Sequence, residues 1–148
     1  MQLNLAKDAK WLVVHAPVAA GATDITDCTV VDTAGYDNVV FAVKFGAIVT
    51  GAVTSIKVQQ SSDNSADTYA DLAGSNVAIA DDQDGKIALV EIIRPRERYL
   101  KLQILRATQN ATVDAALAIL HGGGVMPATQ SDVAGTAEVH GSPAEGTA

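Results

Sequence analysis

Between Asp37 and Leu120 the chain alternates apolar and polar residues in short bursts, each closed by a cluster of Gly, Asn, Asp or Pro. Val39, Phe41, Val43 and Phe45 share one face of an extended segment, and so do Leu100, Leu102 and Ile104. Side chains leave a strand on alternate faces, so a period of two builds a sheet with one buried face. Turn residues between the bursts make the pattern that of an antiparallel β-sandwich or jelly roll. The chain therefore reads as all-β.

The sequence divides into three parts: an extended N-terminal arm (1–23), a β-sandwich domain (24–121) and a flexible C-terminal tail (122–148). The arm holds one strand candidate, residues 10–15, followed by Pro17 and small residues. Strands of the body are expected at 25–31, 38–45, 53–60, 86–93, 99–105 and 112–120, with shorter ones at 68–72 and 76–79. Residues 112–120 are rich in Ala and compatible with a short helix. The alternation of Val113, Ala115, Leu117 and Ile119 with Thr112, Asp114, Ala116 and Ala118 favours a strand. Residues 66–73 have room for a helical turn. Gly122, Gly123 and Gly124 end the last strand, and Gly, Ala, Ser, Thr and Pro then dominate to Ala148. Such a tail buries too little apolar surface to offset its ordering entropy, so it is expected to order only on a neighbouring subunit.

Bulk properties narrow the function classes. A chain of 148 residues is about one domain. Its net charge of -7 opposes general affinity for nucleic acid, whose phosphates are bound through Lys and Arg. Nothing approaches the roughly 18 consecutive apolar residues of a membrane helix. Lys7, Lys10 and the apolar residues from Trp11 to Val14 resemble a secretory leader, but His15 and Pro17 break the run. The one cysteine, Cys28, has acidic neighbours in Asp24, Asp27 and Asp32, which suits a buried hydrophobe better than a reactive thiol.

No reactive constellation overlies the strands, and neither cofactor nor metal is expected. The string from His121 to Gly124 copies an oxyanion-hole motif of lipases, yet the chain has no G-x-S-x-G elbow to accompany it. Asp63, Ser65, Asp67, Tyr69 and Asp71 alternate like calcium-loop ligands, but Thr68 and Gly74 stand where an EF-hand needs Gly and Glu. Asp81, Asp82 and Asp84 before Gly85 fit a hairpin turn. His15, His121 and His140 are scattered. Two features point to protein contacts. Arg94, Arg96, Arg98, Lys101 and Arg106 gather five of the ten basic residues around Pro95, as a solvated turn balanced by Glu91 and Glu97 or as a docking patch for an acidic surface. Trp11, alone on the arm, is the other candidate anchor, with core packing as its alternative.

The run from Val53 to Asn64, followed by Tyr69, Ala70, Asp71 and Leu72, looks like a strand leading into a hairpin, and Arg98 to Ile104 continues it. Together with Val31 to Phe41, this order over residues 24–120 resembles tailed-bacteriophage head decoration, or cement, proteins of the small β-sandwich type. That resemblance implies a non-enzymatic virion protein, made in the host cytoplasm, which binds the major capsid protein on the outer surface of the capsid, often as a homotrimer. The arm with Trp11, and the patch with Arg94, Arg96 and Arg98, would then supply the capsid or subunit interface. The same strands also resemble carbohydrate-binding jelly rolls of adhesion modules, and a phage tail component is a third reading. With one Trp, three Tyr and two Phe, the chain is poor in stacking platforms for sugars.

Overall fold

The computed structural model describes residues 4–124, 126–140 and 144–146. After one helical turn, α1 (Leu5–Asp8), ten strands follow: β1 (Lys10–His15), β2 (Val18–Gly21), β3 (Val31–Asp32), β4 (Asn38–Ile48), β5 (Val53–Ser61), β6 (Ala70–Asp71), β7 (Val77–Ile79), β8 (Ile87–Ile93), β9 (Tyr99–Ala107) and β10 (Ala111–His121). They form two five-stranded sheets. One has the order β1-β10-β4-β8, with β2 also on β10; the other has β3-β9-β5-β6, with β7 also on β5. Every pairing is antiparallel. The chain is an all-β sandwich, and residues 111–121 are a strand.

The alternation in β4 closes the core as its spacing demands. Val39, Phe41, Val43 and Phe45 face Ile56, Val58, Leu100, Leu102 and Ile104 from the opposite sheet, all of them buried. Each such side chain contributes about 1.5–3 kcal/mol on burial. A 3-10 turn spans Ala66–Thr68; of the expected strand at 68–72, Ala70–Asp71 pair with β5 and Leu72 N–H donates to Val58 O at 2.9 Å.

Three expectations are corrected. Residues 25–31 are not a continuous strand. Ile25, Cys28 and Val31 are buried at a spacing of three, where a strand with one buried face needs two. Ile25 bridges to Ile104 in one sheet, and Thr29 N–H donates to Val14 O in the other at 2.7 Å. The segment therefore laces the two sheets together. Nor is the N-terminal region a separate arm: β1 and β2 run along one side of β10, displaced from each other by a bulge near His15. Finally, the tail does not leave the body at Gly124. Ala128 N–H donates to Lys7 O at 2.8 Å, and the side chains of Gln130 and Asp132 bond the free edge of β1. An edge strand presents unpaired backbone groups, and these side chains satisfy them.

Cys28 is buried within the core cluster, and burial, then the charge of Asp27, pushes its thiol up to about 11. The raised value stabilises the fold below the thiol's unfolded pKa, and this contribution is lost as pH rises through about 11. Thiol-specific alkylation near pH 8 should therefore proceed only after unfolding. Modification of native protein at the rate of a free thiol would contradict this placement.

Candidate functional site

The two sheets present very different faces to solvent. On the β1-β10-β4-β8 sheet the registers align Val13, Leu117, Ala42 and Leu89 in one row across four strands. The next row is Trp11, Ile119, Val40 and Glu91. These residues alternate with the buried ones, so they point outward. Leu89 is 59% exposed, Ile87 60% and Ile93 68%. The apolar centre has polar pairs at its two ends. Lys44 Nζ lies 2.7 Å from Asp114 Oδ2, and His121 Nε2 lies 3.0 Å from Glu91 Oε1. An apolar centre with a polar rim is the anatomy of a protein interface, and a contiguous exposed apolar patch marks such a site. Strand β8 is also the outer strand of its sheet, bearing apolar side chains on both faces.

The outer face of the other sheet is polar. Ser55, Lys57 and Gln59 of β5 stand opposite Leu105, Gln103 and Lys101 of β9. Lys57 pairs with Asp71 at 2.7 Å, and Gln103 donates to Gln59 at 2.7 Å. Its aromatic rings are occupied: Lys101 Nζ lies 5.6 Å from the Tyr69 centroid, and the Arg98 guanidinium 5.2 Å from that of Tyr99. Each cation lies over one face of its ring, where the ring quadrupole attracts it.

The structure separates the residues singled out from sequence. Trp11 belongs to the apolar face. It is half-buried, its indole N–H donates to Leu5 O at 3.0 Å, and it lines a groove of about 540 Å³ with Leu5, Val13, Leu117, Val133 and Ala137. Arg94 and Arg96 are exposed in the connection from β8 to β9, Arg94 with a backbone φ of 49°. Arg98 grips Asp32 through two bonds of 2.8 and 2.7 Å. Arg106 is not part of this patch, because its side chain is buried at the end of the sandwich and bonds backbone carbonyls.

The Arg98 hydrogen bonds, more than its charge at a distance, hold the Asp32 carboxyl below the usual carboxylate range. A depressed carboxyl pKa contributes stability above the unfolded value and loses it as pH falls through the folded one. In an NMR titration the Asp32 midpoint should rise in R98A; an unchanged midpoint would remove the pairing as its cause.

The motifs with catalytic overtones have structural roles here. Gly122 ends β10 at a φ of 72°, which glycine adopts without strain, and Gly124 N–H donates to Gly35 O at 3.2 Å. Asp63 accepts from Thr68, Ser61 and the Ser65 N–H, so its own loop takes up the carboxylate. Asp71 is held by Lys57 and Gln59. Among the described residues, no group of three or more His, Cys, Asp or Glu is placed to hold a metal ion. No helix among them is long and apolar enough to cross a membrane.

The apolar face was missed in the sequence, although a signal for it exists. Ile87 to Val90, and Ala115 to Leu120, are nearly continuous apolar runs rather than alternating ones. Such runs belong to strands covered on both faces.

No protein-family model matches the chain, and no curated protein matches it. Among solved structures the chain is similar to one in the structure of infectious bursal disease virus, Gx strain, with a TM-score of 0.43 and 18% identity. The likeness covers 83% of this chain and 33% of that one, so the chain spans about a third of its length.

Proposed function

We propose that this chain is a non-enzymatic structural protein of a virion, which docks on the outer surface of a phage capsid and stabilises it as a decoration protein. The observation that carries this reading is the outward apolar face of β1, β10, β4 and β8, built on paired strands and bounded by the Lys44–Asp114 ion pair and the His121–Glu91 hydrogen bond. The resemblance of residues 24–120 to decoration proteins supplies the kind of partner: the major capsid protein. A ligand that binds only the assembled shell stabilises it by mass action, by about 2.7 kcal/mol per site at a hundredfold excess over Kd. Many copies covering subunit junctions would raise the temperature at which the shell disrupts.

Co-sedimentation with expanded, undecorated capsids of the source phage tests this reading. Saturable binding with a higher disruption temperature is the expected result. Absence of binding at micromolar protein would overturn it. A glycan array, with and without calcium, then addresses the adhesion reading.

A further inference from the structure

Residues 128–132 bond the chain from Lys7 to Val13, along the end of α1 and the edge of β1. Ala128 N–H donates to Lys7 O at 2.8 Å, Gln130 donates to Ala9 O at 2.6 Å and accepts from Trp11 N–H at 3.0 Å, and Asp132 accepts from Val13 N–H at 2.9 Å. Residues 128 to 132 of the strap span Lys7 to Val13 in the same direction, four residues against six because the Gln130 side chain bridges Ala9 and Trp11, so the strap runs parallel to the strand. From Gln130 on, its side chains take the place of a neighbouring backbone. Val133 and Ala137 then enter the groove beside Trp11, Val13 and Leu117. None of the buried core cluster comes from this segment.

We infer that residues 126–137 are an exchangeable strap: they close the β1 edge of their own chain, and close the same edge on a second copy when chains are crowded together. The occupant of the edge is set by the contacts themselves. The Gln130 amide matches one carbonyl and one N–H, and the Asp132 carboxylate takes the next N–H along. The same bonds form in trans without new chemistry, which is the condition for segment swapping between identical chains. A segment held by a few partly exposed bonds and two small apolar side chains opens far more readily than the sandwich. This inference rests on the strap geometry and is independent of the capsid reading.

The test mixes equal amounts of isotopically heavy and light full-length chain, holds them at high concentration, and couples carboxylates to lysines with a zero-length carbodiimide. Lys10, which lines a groove with Pro127, Ala128 and Thr129 of the strap and stands three residues before the Val13 whose N–H Asp132 accepts, is the expected partner for that carboxylate. The Lys44–Asp114 pair, 2.7 Å apart within the sandwich, is the internal control and stays within one isotope. Exchange gives mixed-isotope Lys10–Asp132 peptides, approaching half of that product as concentration rises and disappearing on dilution. D132N, which keeps the fold but removes the reactive carboxylate, abolishes the product. Lys10–Asp132 peptides confined to one isotope at every concentration, or no such peptide while the control pair couples, would overturn the inference.

Discussion

R106M should lower the stability of the fold by about 3 kcal/mol, the largest effect expected from any single polar side chain. Arg106 is 4% exposed, and among the described residues its guanidinium bonds backbone carbonyls and no carboxylate. Instead it donates to Thr23 O at 2.9 Å, Ala19 O at 2.9 Å and Ala111 O at 2.8 Å, while its own backbone N–H donates to Asp24 at 2.8 Å. One side chain thus ties β9 to β10 and to the segment around β2. Methionine keeps much of the volume but donates nothing. Ala111 is fully buried, so its carbonyl loses its guanidinium partner, whereas Ala19 and Thr23 are exposed and their carbonyls regain water. An orphaned buried acceptor costs about 1–3 kcal/mol, and lost hydrogen bonds to a charged group add to that. Thermal melting should fall by roughly 10 °C for a domain of this size. R106K should recover only part of the loss, because an ammonium lacks the planar fork that reaches separate carbonyls. A loss below about 1 kcal/mol for R106M would show that water replaces the guanidinium.

The double variant I87D/L89D should leave folding nearly unchanged and abolish capsid binding. Both side chains are about as exposed as surface residues usually are, at 60% and 59%, and neither belongs to the core. Exposed substitutions generally shift stability within about 0.5 kcal/mol. In a docked complex, each side chain would contribute about 1.5–3 kcal/mol by burial, so losing both weakens binding by roughly a hundredfold or more. Two buried carboxylates add a further penalty. The comparison variant is K57A/Q59A on the polar face of the opposite sheet, which should bind like the parent. Equal affinity for I87D/L89D and the parent would sink the assignment of this face, while weakened binding only in K57A/Q59A would move the interface to the other sheet.

Much of the sandwich was legible in the residues because β4, β5 and β9 each bury one face. The period-two pattern of Phe41, Ile56 and Leu102 with their neighbours follows from chain geometry and the hydrophobic effect, so strand positions and inner faces needed no structure. Alternation also favoured a strand over a helix at residues 112–120, but its inner face from Ala116 on is Ala116, Ala118 and Leu120 and not Leu117 and Ile119, because the register shifts between Val113 and Ala115. The residues left Trp11 open between an interface anchor and core packing, and its register with Ile119 places it on the outward face. The tertiary structure decided everything that depends on register between distant segments. Val13, Leu117, Ala42 and Leu89 form one row only because four strands pair in a particular alignment, and no local pattern encodes that row. The basic cluster divided for the same reason: Arg98 found Asp32, Arg106 turned inward to carbonyls, and Arg94 and Arg96 stayed in solvent. The tail followed this logic too. Its composition forecast a segment unable to bury itself, while the unpaired edge of β1 gave Gln130 and Asp132 backbone groups to satisfy. Local alternation is fixed by the chain, but the partners of polar groups and the makeup of an outer face are set by which strands lie side by side.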